Sequence, residues 1–243
     1  MLGPFEVLKR PLTLRSADAK PAANGSGQAG SLAWWKFDET DGVTVSDAAG
    51  NRHNGMVQGP PLWKPDQGVQ GGALEFDGAR SWVECSDSDS LELRDALSIS
   101  AWFKGRSSDQ PLQTLMAKGE AWRLQRQGDK GQLEFALIGP QTTGASKSKP
   151  PTILSKRKVE DDLWHHVAGV YDGQRMVLYL DGVADGAVSA TGPIAVNNVP
   201  VTLGENGLSR GRFFNGWLDN ARLYGHALSA GEVRKQYQER APQ

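Results

Sequence analysis

Cysteine is nearly absent from this chain. Cys85 is the only one among 243 residues, which excludes an internal disulfide and a cysteine-built metal cage. The chain also has no large excess of charge of either sign, because 27 Lys and Arg residues nearly balance 28 Asp and Glu residues, for a net charge of -1. We therefore expect no global field that would recruit nucleic acid or an anionic membrane.

Long apolar runs are missing too. Hydrophobic residues make up 38% of the sequence, but no stretch approaches the ~20 apolar residues that a membrane-spanning helix needs. The sequence thus predicts no membrane insertion. The first residues, MLGPFEVLKRPLTLR, contain no apolar core followed by a small-residue cleavage site, so no signal peptide is visible in them.

Composition changes sharply near residue 31. Residues 16–31 read SADAKPAANGSGQAGS, a run too poor in apolar side chains to offset the entropy of ordering, which indicates a flexible linker. We predict an N-terminal tail and linker over 1–30 and one main domain over 31–240. Residues 1–15 are interpreted as a tail, with the last strand of a neighbouring domain as the alternative.

Short alternating segments separated by Gly, Asn and Asp fill the main domain, a pattern typical of an all-β sandwich or barrel. The dipeptides Asp172-Gly173 and Asp181-Gly182 supply the positive φ of tight hairpin turns. They predict a meander of strands over 164–171, 176–180 and 183–188.

The pair His165-His166 lies inside the first strand of this meander. A period of two points the two rings to opposite faces of the sheet, so they cannot cooperate as a catalytic pair. We interpret both histidines as structural residues of the strand.

One helix is visible near the C-terminus. Ser229 followed by Glu232 forms a capping box, and Val233 with Tyr237 gives one apolar stripe. We predict a short surface helix over 229–240.

Five blocks of the sequence together resemble the laminin-G-like jelly-roll family, which is part of the concanavalin A-like lectin/glucanase superfamily. The blocks are WWKFDETDGVTVSDAAGNRHNG (34–55), GALEFDG with SWVEC (72–85), LSISAWFK (97–104), LWHHVAGVYDGQRMVLYLDG (163–182) and FNGWLDNARLYGHALSAGEV (214–233). The resemblance implies an all-β fold: a two-sheet antiparallel jelly-roll β-sandwich with a short C-terminal helix.

In that arrangement a set of large apolar residues is expected to form the core between the sheets. They are Trp35, Phe37, Leu74, Phe76, Ile99, Trp102, Val167, Leu178, Leu180, Trp217 and Leu223.

The function that the resemblance favours is a non-catalytic, lectin-like module that binds a polysaccharide or glycan and belongs to a larger exported, multidomain protein. Exposed aromatic rings stack on sugars, and the candidates are Trp63, Trp122 and Trp34. A protein-protein interaction, adhesion or spacer module is the alternative. Location outside the cell or in the periplasm follows from the resemblance only.

An enzyme on the same fold is the second alternative. Retaining glycosidases place two carboxylates about 5 Å apart across the scissile bond, and the sequence contains no Glu-x-Asp-x-(x)-Glu spacing that would supply them. The acidic groups at 87–89 and 160–162 lie in turn-like segments. We therefore expect no enzymatic activity.

A long segment over 139–162 is rich in Gly, Ser, Pro and Lys and is predicted to be a loop. Its basic residues suggest a patch for sulfated or carboxylated polysaccharide, with a solvated insertion as the alternative. They are Lys147, Lys149, Lys156, Arg157 and Lys158.

A structural calcium ion is implied by the resemblance, since hard cations need several oxygen ligands from irregular loops. The implied donors are Asp47, Asn51 and Asp219, with Asp77 and Asp38 as weaker candidates. The alternative is that these side chains only form turn hydrogen bonds.

Overall fold

The fold was analysed in a computed structural model that describes residues 30–85, 87–128, 130–142, 150–159 and 161–239. Two antiparallel sheets lie face to face, with one short helix near the C-terminus. The jelly-roll sandwich that the sequence predicts is confirmed. The predicted tail and most of the predicted linker lie outside the described residues.

The strands are short, as expected for chain segments broken by Gly, Asn and Asp. In chain order they are β1 (Ala33–Trp35), β2 (Thr44–Val45), β3 (Gly55–Gln58), β4 (Leu62–Lys64), β5 (Ala73–Asp77), β6 (Trp82–Cys85), β7 (Leu97–Gly105), β8 (Gln113–Lys118), β9 (Trp122–Gln127), β10 (Gln132–Leu137), β11 (Gln141–Thr142), β12 (Thr152–Lys158), β13 (His165–Tyr171), β14 (Arg175–Leu180), β15 (Val183–Thr191), β16 (Thr202–Leu203) and β17 (Asn215–Tyr224). A 3-10 turn covers Asp89–Leu91, and helix α1 covers Ala230–Gln238.

The first sheet has the strand order β11-β15-β14-β13-β7-β17-β5-β4, with β1 also paired to β17. The second sheet has the order β12-β10-β9-β8-β16-β6-β3-β2. Strand β17 lies near the centre of the first sheet and pairs with β1, β5 and β7.

Alternation along each strand builds the core. On β7, for example, Leu97, Ile99 and Phe103 are fully buried between the sheets, because side chains two apart share a face. Nine of the predicted core residues belong to this main cluster: Trp35, Phe37, Leu74, Phe76, Ile99, Val167, Leu178, Leu180 and Leu223.

Two tryptophans depart from the predicted core. Trp217 is only half-buried and lies between Glu75 and Lys104 on the outer face of the first sheet, so its core assignment was wrong. Trp102 is buried but lies outside the main core cluster, and the ring of Tyr237 from helix α1 stacks on it at 5.5 Å. The helix, not the second sheet, therefore covers Trp102.

The predicted meander is confirmed as β13, β14 and β15, which are paired in series. Asp181 and Gly182 have φ of 53° and 73° in the turn between β14 and β15. These left-handed conformations are the ones that favour Asp and Gly in tight hairpins.

Helix α1 packs on the outer face of the first sheet and creates a second apolar cluster there. Its members are Ala168, Val170, Tyr179, Tyr224, Leu228 and Val233. The predicted capping box is present, because the Ser229 hydroxyl accepts from Glu232 N and the Glu232 carboxylate accepts from Ser229 N. No helix in the described part of the chain is long and apolar enough to span a bilayer.

The segment 139–162 is not a simple loop, since it contains β11 and β12. Within it, Arg157 forms ion pairs with Asp181 and Asp185 at 3.2 Å each, so its charge is locally neutralised. Lys147 and Lys149 lie outside the described residues, and the patch predicted around them stays a prediction.

Close approach of the two sheets depends on Gly169. A Cβ at this position would lie 2.6–2.9 Å from three ring atoms of Phe135 on the opposite sheet. We expect Gly169→Ala to lower the free energy of unfolding by about 1–3 kcal/mol through overpacking. Gly231→Ala in helix α1, where the nearest atom is Ser229 Oγ at 3.8 Å, should instead raise it by about 0.5–1 kcal/mol. Urea titration measures both, and equal effects of the two changes would contradict this packing argument.

Candidate functional site

A β-bulge on β17 shapes the outer face of the first sheet. Asp219 pairs with Trp102 of β7 and Arg222 pairs with Ser100. Three residue steps on β17 therefore lie opposite two on β7, which leaves one extra residue in β17. Asn220 within the bulge has φ of 49°, a left-handed conformation that Asn tolerates better than most residues. The extra residue turns side chains on both sides of the bulge toward the same face.

Trp34 lies beside this bulge. Its position on β1 is opposite Arg222 on β17, and its indole Nε1 donates to Asn220 Oδ1 at 2.8 Å. The Arg222 guanidinium lies 4.3 Å from the ring centroid and the Lys36 ammonium 4.9 Å. Trp34 is half-buried, so part of the indole is open to solvent while its orientation is fixed.

A small pocket adjoins Trp34 on this face, and we refer to the two together as the Trp34 pocket. Its lining is polar apart from the buried Trp102 ring. The lining residues are Gln70, Trp102, His166, Asn220, Arg222, Gln236 and Glu239.

Two polar atoms of this lining are buried and have no partner among the described residues: His166 Nδ1 and Arg222 Nε. Burial, followed by the nearby Arg222 charge, lowers the pKa of His166 to about 4, so its imidazole is neutral at physiological pH. Buried polar atoms are normally hydrogen-bonded, and exceptions mark positions where a ligand or water atom is expected. The pocket therefore offers unsatisfied hydrogen-bonding groups.

Asp219 holds the loop that delivers Gln70 to the pocket. Its carboxylate Oδ2 accepts from the backbone N–H of Val69 at 2.7 Å and of Gln70 at 3.0 Å. Asp38 Oδ1 accepts from Gly72 N at 2.8 Å on the other side of the same loop. The loop is thus fixed by two aspartates, and the Gln70 side chain accepts from Asn220 Nδ2 at 3.4 Å.

The Asp219 carboxyl is fully buried. Burial raises its pKa to about 7, while the N–H donors of Gln70 and Val69 oppose the rise. A raised carboxyl pKa is a common feature of catalytic acids. Here, however, both oxygens are engaged by Val69, Gln70 and Asn220, so Asp219 acts as an anchor of the loop.

Asp47 has a similar anchoring role. Its Oδ1 accepts from the backbone N–H of Trp34 and Ala49, and its Oδ2 accepts from those of Asn51 and His53. Asn51 Nδ2 donates to the carbonyl of Leu32 at 2.9 Å. These contacts fasten β1, and with it Trp34, to the following loop.

Asp77 organises a turn of its own. Its Oδ1 accepts from the backbone N–H groups of Ala79, Arg80 and Ser81. Burial alone would raise the pKa of Asp77, but these donors hold it well below its usual value.

The implied calcium ligands therefore do not form one site. No three acidic, histidine or cysteine side chains of the described residues are grouped so that they could hold a metal ion. The carboxylates of Asp47, Asp77 and Asp219 instead accept hydrogen bonds from backbone N–H groups, and a cation would compete with these donors. This arrangement does not fit calcium, and the calcium proposal rests on the resemblance alone.

The other two candidate tryptophans do not reach this site. Trp122 is 1% exposed and belongs to the main core, so the structure corrects its assignment as a sugar-stacking residue. Trp63 packs against the core from β4, and its Nε1 donates to the carbonyl of Gly42 at 2.9 Å. Trp34 is the candidate that the structure places beside a polar pocket.

His165 and His166 do point to opposite faces. His166 lies under helix α1, 5.3 Å from the Trp102 ring, whereas His165 lies between two carboxylates. Its Nδ1 is 3.0 Å from Asp181 Oδ2 and its Nε2 is 3.0 Å from Asp161 Oδ1. Hydrogen bonding to Asp181, opposed in part by burial, raises the pKa of His165.

Gln70, Asn220 and Arg222 are site residues that sequence reasoning did not identify. Strict alternation along β17 places residues 217 and 222 on opposite faces, and only the bulge brings both to the outer face. The pair Asp219-Asn220 in the middle of this strand was the available signal, since Asp and Asn are depleted in regular strands.

The fold and the surface pocket define a jelly-roll β-sandwich module. A family model of the concanavalin A-like lectin/glucanases superfamily, of laminin-G type, matches residues 77–234. The chain therefore belongs to this superfamily. No curated protein sequence matches the chain significantly.

Several solved structures share the fold. Domain 4 of AbnA, an extracellular GH43 arabinanase from Geobacillus stearothermophilus, in complex with arabinotriose, is 22% identical over 86% of this chain and 98% of that chain, with a TM-score of 0.65. The binding domain of botulinum neurotoxin DC matches in its complex with SialylT at 13% identity, over 86% of this chain and 50% of that one, with a TM-score of 0.64. The same kind of domain in complex with rat synaptotagmin II is 14% identical over 86% of this chain and 51% of that chain, with a TM-score of 0.63. The present chain thus spans about half the length of the toxin binding domains.

The His165 contacts predict a pH-dependent contribution to stability. Because the folded pKa lies above the ordinary value of 6.5, this contribution is fully present below that value and is lost as pH rises through the folded pKa. His165→Gln should destabilise the protein by about 1–3 kcal/mol in mildly acidic buffer and by less in alkaline buffer. Urea titrations across this range measure the difference. Asp161→Asn should weaken the pH dependence, and a His165→Gln effect that does not vary with pH would contradict the prediction.

Calcium binding is tested by thermal melting. Because these carboxylates already accept backbone hydrogen bonds and are not grouped, we expect the same melting temperature in millimolar calcium and in chelator. Asp47→Ala should lower it equally in both, because the change leaves backbone N–H groups without acceptors. A calcium-induced rise in melting temperature that disappears in Asp219→Ala would instead establish the site that the resemblance implies.

Proposed function

We propose that this protein is a non-catalytic carbohydrate-binding module and that the Trp34 pocket is its binding site. The observation that carries the proposal is that the half-buried Trp34 indole contacts two lining residues of the pocket, Asn220 and Arg222, and that Arg222 Nε is buried without a partner among the described residues. A sugar presents C–H groups on its ring faces and hydroxyl groups at its edges. An aromatic ring next to free donors and acceptors matches both.

The side chains of the pocket suit hydroxyl recognition. Gln70 and Asn220 carry amides that both donate and accept, Arg222 donates, and Glu239 accepts. Neighbouring contacts hold them in place, since Arg222 Nη1 lies 3.3 Å from Glu239 Oε2 and Asn220 is fixed between Trp34 and Asp219. Such pre-organisation reduces the entropy lost on binding.

The likeness to an arabinanase domain with bound arabinotriose supports a sugar ligand and makes arabino-oligosaccharides the first to test. That domain comes from an extracellular multidomain enzyme, which agrees with our proposal that the present chain is a module of an exported protein.

The absence of catalysis is part of the proposal. In the described part of the chain, the two carboxylates nearest the pocket have structural roles: Glu239 pairs with Arg222, and Asp219 anchors the 68–72 loop. Neither is positioned as a free acid or nucleophile, as glycoside hydrolysis requires.

Binding of a protein partner is the second candidate function. A toxin binding domain with the same fold occurs in complex with rat synaptotagmin II. The polar lining of the Trp34 pocket favours sugar, because central hot spots of protein interfaces are enriched in aromatic residues and depleted of carboxylates.

The experiment is a glycan array followed by calorimetry with the best ligand and with arabinotriose. Trp34→Ala should weaken binding by about tenfold or more, the loss expected for a central stacking residue. Gln70→Ala should also weaken it. The matched control is Trp82→Ala, which removes a half-buried tryptophan from the second sheet, where it contacts Phe213 and Arg210.

Circular dichroism and melting curves must first show that each variant is folded. A silent array with folded wild-type protein would favour the protein-binding alternative. Equal losses in the Trp34 and Trp82 variants would contradict the Trp34 pocket as the site.

A further inference from the structure

The outer face of the first sheet carries a second cluster of aromatic and basic side chains. Its centre is a row of residues that lie opposite one another on neighbouring strands: Glu75 on β5, Trp217 on β17 and Lys104 on β7. Trp164, directly before β13, extends the row, since its ring lies 6.2 Å from that of Trp217. These four residues, together with Lys64 and Arg106, are called the Trp217 patch.

Three cations surround the Trp217 indole. The Lys104 ammonium lies 5.1 Å from the ring centroid, the Lys64 ammonium 5.7 Å, and the Arg106 guanidinium carbon 5.9 Å. Glu75 is the only carboxylate in the patch, and it pairs with Lys64 at 2.6 Å and with Arg106. One carboxylate against three cations leaves a local positive excess on a protein with almost no net charge.

Lys104 is the cation that this arrangement leaves without a counter-ion. Lys64 and Arg106 share Glu75, whereas no carboxylate of the described residues forms an ion pair with Lys104. Lys104 is also half-buried, so it is less fully hydrated than an ordinary surface lysine. An anion from solution would supply the missing partner, and partial burial strengthens that attraction relative to bulk water.

Trp217 adds a free hydrogen-bond donor. Its Nε1 is buried and has no acceptor among the described residues, although buried indole N–H groups usually have one. The Lys104 ammonium lies 5.1 Å from the centroid of this same indole, so the patch combines an unpaired cation with an aromatic side chain.

We propose that the Trp217 patch binds the carboxylate or sulfate group of an acidic glycan. Lys104 contacts the anionic oxygens, while the Trp217 and Trp164 rings pack against the sugar. The two rings meet at 59° and so present adjoining apolar surfaces, which match the C–H face of a sugar better than the side chain of an acidic peptide. This proposal does not depend on the function proposed for the Trp34 pocket.

The test measures binding of the intact chain to polygalacturonate, dextran sulfate, uncharged dextran and polyglutamate. We expect binding to one or both acidic polysaccharides, none to dextran, and weakening as salt increases. Polygalacturonate and dextran sulfate distinguish carboxylate from sulfate. Lys104→Gln should weaken this binding by about tenfold, since the change removes a charge-assisted hydrogen bond to the anion. Trp217→Leu should weaken it as well.

Matched variants make the test specific. Lys130→Gln changes an exposed lysine in the turn between β9 and β10 of the second sheet and should leave binding unchanged. Trp34→Ala should also leave it unchanged, which separates this patch from the Trp34 pocket. The proposal is overturned if neither acidic polysaccharide binds, if Lys104→Gln and Lys130→Gln act equally, or if Trp34→Ala abolishes binding while Lys104→Gln does not. Polyglutamate that binds as tightly as both polysaccharides would overturn the assignment to a glycan.

Discussion

The buried carboxylate of Asp219 is the interaction on which the outer face of the first sheet depends. It accepts hydrogen bonds from Val69, Gln70 and Asn220 and so joins a glycine-rich loop to the bulge of the central strand β17. Burying a carboxyl group is unfavourable unless such donors compensate for its lost hydration. The cost of removing this carboxylate from water is reflected in the pKa of Asp219, which burial raises to about 7. In return, Gln70 and Asn220 are held at the edge of the Trp34 pocket.

Both polar surfaces of this face depend on the same backbone irregularity. The bulge between Asp219 and Arg222 lets Trp217 and Arg222, five residues apart, project from the same side of the sheet. A regular strand would place one of them in the core. The core itself tolerates the irregularity because Leu218, Ala221 and Leu223 still fill the inner face. One extra residue in β17 thus allows this strand to present both Trp217 and Arg222 on the outer face of the first sheet.

Local and repeated patterns predicted the strands, turns and helix, whereas the two-sheet jelly-roll arrangement was implied by the family resemblance of five sequence blocks. Alternation on β7, the Asp-Gly turns of the meander and the Ser229 capping box each act within a few residues, and each was confirmed. The sites depend on long-range contacts that no local pattern encodes. Trp122 and Trp34 look alike in sequence, yet one fills the core and the other lies beside Arg222. Trp217 was assigned to the core because the bulge that turns it outward was not anticipated.

The two surfaces differ in how their charges are balanced, and that difference separates their chemistry. In the Trp34 pocket, Arg222 is paired with Glu239, and the remaining groups are amides and a histidine that burial keeps neutral, so hydroxyl groups are suitable ligands. In the Trp217 patch, Glu75 neutralises only part of the surrounding positive charge, so an anion is favoured. The loop fixed by Asp219 and the end of helix α1 over Trp102 lie on this same face. The two proposed sites therefore lie on one sheet but differ in chemistry, with hydrogen bonding dominant at one and charge at the other.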